Sequence, residues 1–423
     1  MKKKLAASAA FTALLAVGTA APAQAASATN VPCRATALAG AISSAASGGR
    51  LSLATGCTYV LTAGLPAVTQ PLTITGHGAT LQRSDAQGTP AFTILTVDGG
   101  NLTLSKLSFR NGNGAISVID DGQLTVSGGT FTGNSAPNGG AIYSNSSGAN
   151  LSAPQVTGAT FAGNTATGSG GAIYNYSVSA GIEVSHCVFL GNTAGAGGGA
   201  IWEFGYGAGV TSSSFRGNTA GADGGGALWL SEDLGASLGQ DTIRGNTTTG
   251  DGGGIYSAEG GAGVFLTSGA VDGNRAGGDG GGIFSGLGTG STASGTAIEG
   301  NTATDGGGIY ADEGGIATLT NTGITGNYAT GNGGGLDSSG TFADVSLSGG
   351  VISGNRSGAN GGGIYMQGET DAIGTPVTRN RAVHGGGIYA DGPGPTVDLT
   401  SSPVTRNMPD NCEPPSSITG CTG

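Results

Sequence analysis

The stretch GNTTTGDGGGIYSAEG, residues 245–260, decides the fold because it returns in altered form along most of the chain. Ten steps of the asparagine in its GN pair span 273 residues, or about 27 residues per step. A fixed period of this length indicates structural repeats stacked on one another. An earlier RN pair at Asn111 is expected to belong to the asparagine column, which consists of Asn134, Asn164, Asn192, Asn218, Asn246, Asn274, Asn301, Asn327, Asn355, Asn380 and Asn407.

Each repeat has three short segments whose apolar residues recur at fixed positions. One apolar column stands three residues before the asparagine, as at Phe161 and Ile243, and another follows it by eight to ten residues, as at Ile255. Several repeats also carry an earlier aliphatic pair, such as Val264 and Leu266. Because Gly, Asn, Ser and Asp separate these segments, the pattern predicts three strands per repeat.

The strand pattern predicts an all-β fold, a parallel β-helix of about 27 residues per coil. Helices fit poorly because glycine interrupts every segment and costs about 1 kcal/mol against alanine inside a helix. Coils ~4.8 Å apart would form a rod whose turns need glycine for positive φ angles and close backbone approach. Asparagine also tolerates the left-handed conformation, and its stacked side-chain amides are expected to bond to one another along the rod.

The two ends of the chain differ from the repeats. Residues 1–25 carry three lysines, an apolar run of small residues and a final Ala-Gln-Ala, which predicts a signal peptide and a secreted, extracellular protein. Residues 26–50, including the helix-forming stretch RATALAGAISSAA at 34–46, are predicted to cap the N-terminal end. Residues 51–407 would form the β-helix, and residues 408–423 a disulfide-closed C-terminal cap.

The cysteines indicate the redox compartment of the protein, and its net charge limits the classes of partner it could bind. We expect disulfides between Cys33 and Cys57 and between Cys412 and Cys421, and a small buried thiol at Cys187. Loss of the three leader lysines shifts the formal net charge from −11 to −14. Nucleic acid and anionic membranes are therefore excluded as expected partners. No later apolar run approaches the ~20 residues of a membrane span, and we expect a monomer.

The repeats resemble a known family. The quartets FTGN, FAGN, FLGN and FRGN, with GGAI at residues 139–142, 170–173 and 198–201, look like the FxxN and GGA[ILV] repeats of chlamydial polymorphic outer membrane proteins. The opening coils, GGRLSLATGCTYVL and LTITGHGATLQR, are similar to the starts of pectin lyase-like proteins. The resemblance implies a right-handed parallel β-helix, surface or extracellular placement and an adhesion or interaction role. The pectin lyase-like superfamily also includes polysaccharide lyases and hydrolases.

An aromatic column follows the inward aliphatic column directly. Because neighbours along a strand point to opposite faces, and because the column also accepts Asp337, we expect it on the outside of the rod. Flat rings at strand spacing suit sugar faces, although the rings could instead stack on each other and stabilise the strands. The column broadens into a candidate ligand-binding patch formed by Tyr174, Tyr176, Trp202, Phe204, Tyr206 and Trp229.

An acidic column is a candidate metal site. Asp251, Asp279 and Asp305 stand at the same position of three consecutive repeats. Stacked carboxylates could bind Ca²⁺ through their oxygens. An aspartate before glycine is also a common turn residue whose side chain bonds to nearby backbone, so both interpretations stay open. No other cofactor is expected.

Two functions remain open on the sequence alone. The first is a non-catalytic surface interaction protein, adhesin-like or glycan-binding, whose partner would be a polysaccharide or a cell-surface glycan. The second is a polysaccharide lyase or glycoside hydrolase, for which Glu232 and Asp233 beside Trp229 are the nearest catalytic candidates. The regular repeat length favours the first, because no long insertion builds a cleft over the strands.

Overall fold

The chain forms the predicted right-handed parallel β-helix, in which each strand pairs in parallel with its counterpart one coil away. The computed structural model describes residues 27–146, 153–178, 180–232, 235–258, 263–340, 344–392, 397–414 and 418–421. The predicted signal peptide, residues 1–25, lies outside the described residues. In the described part of the chain the strands form three sheets that run along the rod, and the third consists of five-strand and three-strand parts linked by bridges at Arg275.

One coil shows how the sequence maps onto the sheets. Its strands are Gln155–Thr157, Thr160–Ala162, Thr165–Ala166 and Ile173–Ser177. The first two strands belong to one sheet, bent between them at a glycine, although the sequence pattern assigned them to separate strands of the coil. The third sheet consists of two-residue strands directly after the asparagine, which are too short for periodicity to reveal.

Among the described residues, the first sheet contains 25 strands. Its strands are Thr29–Val31, Gly49–Leu53, Thr58–Leu61, Leu72–Arg83, Asn101–Arg110, Gln123–Ser127, Thr130–Thr132, Gln155–Thr157, Thr160–Ala162, Glu183–Ser185, Val188–Leu190, Gly209–Thr211, Ser214–Arg216, Ala236–Gly239, Thr242–Arg244, Val264–Thr267, Ala270–Asp272, Gly290–Ser294, Ala297–Glu299, Ile316–Thr325, Asp344–Ser353, Thr370–Ile373, Val377–Thr378, Val397–Thr400 and Val404–Thr405.

The other two sheets are narrower per coil. The second sheet has 13 strands: Leu95–Asp98, Ile116–Ile119, Ile142–Ser146, Ile173–Ser177, Ile201–Gly205, Leu228–Glu232, Ile255–Ser257, Ile283–Ser285, Ile309–Ala311, Leu336–Ser338, Ile364–Met366, Ile388–Ala390 and Cys412–Glu413. The third sheet has Ser135–Ala136, Thr165–Ala166, Thr193–Ala194, Thr219–Ala220, Thr247–Thr248, Thr302–Ala303, Tyr328–Ala329 and Arg356–Ser357.

A short helix closes the N-terminal end of the rod. It spans Ala35–Ser43, within the stretch predicted to be helical, and buries Leu38 and Ile42 against the core. A disulfide joins Cys33, just before the helix, to Cys57, and a second joins Cys412 to Cys421, as predicted. Each closed loop restricts the unfolded chain and contributes roughly 3 kcal/mol on the chain-entropy model. Cys187 is free and buried, and burial raises the pKa of its thiol.

The asparagine column forms a continuous buried ladder from Asn134 to Asn407. Asn274 is typical: its Nδ2 donates to Oδ1 of Asn301 at 3.0 Å and to the backbone oxygen of Ile243 at 2.9 Å. Its Oδ1 accepts from the backbone N–H and from Nδ2 of Asn246, at 2.9 and 3.0 Å. Every polar atom of the side chain is therefore satisfied inside the rod, which is the condition for burying an amide.

Two details of the predicted ladder are wrong. Asn111 lies outside it, because its φ is +58° and its Nδ2 donates to Asp85 at 2.9 Å. The ladder instead extends past Asn407 to Asn411, whose Oδ1 accepts from Nδ2 of Asn407 at 3.2 Å. The ladder asparagines also do not adopt the left-handed conformation, since none of them has a positive φ; the residue directly before each one does.

The left-handed residue before the asparagine is glycine in nine coils and arginine in the last two, at Arg379 and Arg406, with φ of +58° and +60°. A side chain there costs about 1–2 kcal/mol. We therefore expect Arg379→Gly to raise the free energy of unfolding by about 1 kcal/mol, measured by guanidinium titration. Arg381→Gly is the control, because Arg381 has no positive φ and should gain nothing; a loss of stability in Arg379→Gly would contradict this assignment.

A second left-handed column was not found from the sequence. It lies at the bend between the two strands of the first sheet, and polar residues hold it more often than glycine does. Its first member with a side chain is His77, in the GHG stretch at residues 76–78, with φ of +50°. The other members with side chains are Lys106, His186, Ser212, Gln240, Ser268, Asn321 and Ser401.

Inward rings fill the core of the early coils. Phe109, Phe131, Phe161, Phe189 and Phe215 are fully buried and stack face to face, with ring centroids 4.7–5.1 Å apart. From Ile243 onward the same column is aliphatic.

The backbones of neighbouring coils approach each other closely at the glycine triplets: a Cβ added at Gly226 would lie 2.1 Å from the carbonyl oxygen of Gly253. This closeness accounts for the middle glycine of the GGA and GGG triplets.

Candidate functional site

The aromatic column lies on the second sheet and forms a ladder of stacked rings. Seven rings follow one another, with centroids 4.4–6.0 Å apart and ring planes within 13° of parallel. Each ring therefore covers the faces of its neighbours, and mainly ring edges reach the solvent. The seven rings are Tyr143, Tyr174, Trp202, Trp229, Tyr256, Phe284 and Tyr310, and a separate pair is formed by Tyr365 and Tyr389.

The argument that placed this column fully outside is wrong. It relied on Asp337, which is completely buried, and Phe284 and Tyr365 are also buried. Asp337 fills the gap between the two sets of rings and accepts a hydrogen bond from the Ser339 hydroxyl. Burial, together with Asp305 and Asp279 nearby, raises the pKa of the Asp337 carboxyl. The rule that an aspartate marks an exposed position therefore failed here, because the Asp337 carboxyl is buried and its burial disfavours the charged form.

The predicted ligand-binding patch divides into two parts. Tyr174, Trp202 and Trp229 belong to the ladder, where their ring faces are covered. Tyr176, Phe204 and Tyr206 lie beside it; Tyr176 stacks on Phe204 at 4.9 Å. Whether any of the six binds a ligand stays a prediction.

We call Tyr176, Val178, Phe204 and Tyr206 the aromatic shoulder. Val178, Phe204 and Tyr206 are exposed, by 45%, 36% and 43%. With Ser231 they line a cavity of about 290 Å³. The cavity exists because Ser231 is the register partner of Phe204 in the next coil and is too small to continue the stack. Val178 and Ser231 were missed from the sequence, since only the register brings them to the rings.

The acidic column caps backbone amides rather than converging on one point. Oδ1 of Asp251 accepts the backbone N–H of Asp279 at 2.7 Å, and Oδ1 of Asp279 accepts that of Asp305 at 3.0 Å. Oδ1 of Asp305 continues the pattern with the N–H of Asn332. Burial and the neighbouring carboxylates raise the pKa of Asp279 to about 6. These contacts favour the turn interpretation, and calcium binding stays a prediction.

No metal-binding group of three or more His, Cys, Asp or Glu side chains occurs among the described residues. Of the two catalytic candidates, Asp233 lies outside the described residues, and so does the side chain of Glu232. Within the described part of the chain, no helix has both the length and the apolar character required to cross a membrane.

The buried carboxyl of Asp241, directly after Gln240 of the second left-handed column, gives the rod a pH-dependent stability. Oδ1 of Asp241 accepts the backbone N–H of Ser213 at 2.7 Å, and Oδ2 has no hydrogen-bond partner among the described residues. Asp241 is 4% exposed, and burial raises its pKa to about 7. Its contribution to stability is complete below about pH 4, the unfolded pKa, and is lost as the pH rises through 7.

Between pH 4 and pH 8 the wild type should lose up to about 4 kcal/mol of folding stability through the Asp241 carboxyl. We therefore expect Asp241→Ser to remove this contribution to the pH dependence. Serine suits the position because Ser213, one coil earlier, already accepts the N–H of Cys187 there. The measurement is the melting temperature of the variant and of the wild type from pH 4 to 8. Asp371→Ser, at an exposed position, is the control; equal pH slopes for wild type and Asp241→Ser would refute the assignment.

Comparison with known proteins supports the repeat architecture. The Chlamydia polymorphic membrane protein repeat matches residues 128–145, 158–176, 186–202 and 242–258. Each matched segment contains an inward residue of the Phe161 column, a ladder asparagine and a ring of the aromatic ladder. No curated protein matches the chain.

Among solved structures, the chain is similar to the Azotobacter vinelandii mannuronan C-5 epimerase AlgE6 A-module. The two share 11% sequence identity, with a TM-score of 0.28, and the match covers 88% of this chain and 96% of that chain. The fold follows from the strand register of the chain itself, and the repeats from the four matched segments. The chain is a parallel β-helix protein that carries polymorphic membrane protein repeats.

Proposed function

We propose that the protein is a non-catalytic, adhesin-like rod that binds a glycan through the aromatic shoulder. The repeats and the solenoid fit a surface or autotransporter-like repeat protein, and the two disulfides fit export to an oxidising compartment. The carrying observation is the cluster of exposed apolar side chains around one cavity, at Val178, Phe204 and Tyr206. Such patches are uncommon on soluble proteins without a partner.

Tyr206 is the side chain best placed to meet a sugar ring. It is 43% exposed and stacks on no other ring among the described residues, so its faces are free to contact a ligand. An aromatic face attracts the C–H groups of a sugar, and the phenol hydroxyl adds a hydrogen bond. The lining of the shoulder cavity carries no charged side chain, which favours an uncharged glycan over an anionic one.

The test is a binding screen of the purified, oxidised mature chain against a panel of polysaccharides, with and without Ca²⁺. We expect retention on at least one neutral polysaccharide and a loss of at least about tenfold in affinity for Tyr206→Ala, as for a central aromatic contact. The matched control is Phe265→Ala, which removes a ring of similar exposure, 44%, from the first sheet.

Two outcomes would reject parts of this proposal, and a third would add calcium at the acidic column to it. Equal binding by Tyr206→Ala and the wild type would remove the shoulder from the site. New reducing ends or unsaturated products during the incubation would show turnover and favour a polysaccharide-cleaving enzyme. Binding that needs Ca²⁺ and is lost in Asp279→Asn would support the calcium proposal for Asp251, Asp279 and Asp305.

A further inference from the structure

The aromatic ladder begins at a cavity. Tyr143 is the first of the seven stacked rings, and Tyr174 covers one of its faces, with centroids 5.4 Å apart. In the preceding coil the register partner of Tyr143 is Ser117, which is too small to cover the other face. A cavity of about 280 Å³ occupies the space where the next ring would lie, and both Tyr143 and Ser117 line it.

Polar groups surround this open ring face. Oδ1 of Asn138 accepts the backbone N–H of Ser169 at 2.9 Å, which orients the side-chain amide and leaves its NH₂ group to donate. The Thr93 hydroxyl donates to the backbone oxygen of Asn113 at 3.1 Å, so its own oxygen can accept. Ser117 has no side-chain hydrogen bond among the described residues. Donors and acceptors therefore meet at the rim of one aromatic face.

The lining excludes charged ligands. No Asp, Glu, Lys, Arg or His is among the cavity-lining residues, and the whole chain carries a formal net charge of −11. An anionic ligand would find no cation to pair with and would be repelled at longer range. The apolar part of the lining is Ile116, Ala136 and Pro137. A ligand that fits this cavity therefore needs one apolar face, polar groups around its edge and no charge.

We propose that this cavity is a binding site for a single uncharged pyranose ring, stacked on the free face of Tyr143 and hydrogen-bonded to Asn138, Ser117 and Thr93. A pyranose has an apolar C–H face that complements the negative face of an aromatic ring and hydroxyls around its edge. The volume lies near the lower end of ligand pockets, about 300 Å³, which suits one ring rather than an oligosaccharide. The site is separate from the aromatic shoulder and does not depend on it.

The experiment uses the oxidised mature chain. The neutral probes are methyl glucoside and methyl galactoside, and glucuronate is the anionic comparison ligand. Saturation-transfer NMR and calorimetry would measure binding, with an expected dissociation constant in about the millimolar range for one sugar ring. Ser117→Phe should place an eighth ring of the ladder on the open face of Tyr143 and weaken binding by at least about tenfold without lowering the melting temperature. Asn138→Asp should also lose binding, because it keeps the acceptor for Ser169 but removes the NH₂ donors.

Ser237→Phe is the matched control, since it adds an outward phenylalanine beside Phe265 on the first sheet, away from the cavity. It should bind the neutral probes as the wild type does. The proposal is overturned if neither neutral glycoside binds, if Ser117→Phe binds as well as the wild type, or if glucuronate binds equally well. Preferential binding of phenol or indole over both glycosides would also overturn it, because the cavity would then recognise an aromatic ligand.

Discussion

Replacing Asn274 by alanine should destabilise the rod by about 4 kcal/mol. The substitution leaves the backbone oxygen of Ile243 and the backbone N–H of Asn246 without these partners inside the core, and it removes one of the two acceptors of Asn246 Nδ2. It also removes one donor from Oδ1 of Asn301. Each buried polar group left unsatisfied costs about 1–3 kcal/mol, and several such losses add at one point. The free energy of unfolding from guanidinium titration measures the effect.

The sequence offers a matched control at Asn111, which has the same Arg-Asn context as Asn380 but lies outside the ladder. Asn111→Ala should cost no more than about 2 kcal/mol, since it loses one hydrogen bond at a partly exposed position and the tolerance of asparagine for the left-handed φ of +58°. Asn274→Asp should lose more stability than the wild type between pH 4 and pH 7, because a buried carboxylate cannot replace the two donated bonds. Equal costs for Asn274→Ala and Asn111→Ala would mean that the ladder does not stabilise the rod.

The second large effect is expected at Phe161. Its ring is fully buried between Phe131 and Phe189, at centroid distances of 4.7 and 4.8 Å. Phe161→Ala removes the ring from the middle of the stack, and large-to-small changes of this kind cost about 3–5 kcal/mol. The neighbouring coils limit collapse into the space, because both rings are held by their own strands. Chemical denaturation with circular dichroism detection measures the loss.

Phe161→Leu distinguishes the volume of the ring from its stacking. Later coils carry aliphatic residues in this column, where Phe215 pairs with Ile243, so leucine should cost about 1.5 kcal/mol or less. Phe265→Ala, at a 44% exposed ring, should stay within about 0.5 kcal/mol of the wild type. A cost for Phe161→Ala no larger than that of Phe265→Ala would show that the inward stack is absent.

The coil itself could be predicted because its determinants repeat. A ladder asparagine, an inward Phe161-type residue and the glycine triplet recur about every 27 residues. Each coil therefore supports the same prediction as the coil before it. The cap helix and both disulfides follow from local composition and spacing. The short third sheet was missed because two-residue strands such as Thr165–Ala166 have no period to detect.

The sites were harder to predict because they depend on register rather than on residue type. Asp337 looked like evidence for an exposed column, but the side chain is buried and its burial raises the pKa of the carboxyl, which reverses that inference. The open ring face of Tyr143 and the shoulder cavity both arise where a serine, Ser117 or Ser231, lies opposite a ring in the adjacent coil. A column of sequence letters does not show which face of a ring its neighbour leaves uncovered.

The most direct test of the stacked rod is hydrogen exchange of asparagine side-chain amides, measured by NMR after selective ¹⁵N labelling. Opening a buried amide requires local unfolding, which slows exchange by orders of magnitude. We predict slow exchange for the NH₂ groups of the ladder and fast exchange for the exposed Asn30, Asn101 and Asn113. Exchange of the ladder amides at the rate of these three exposed side chains would contradict the central claim that stacked asparagines hold the coils in register.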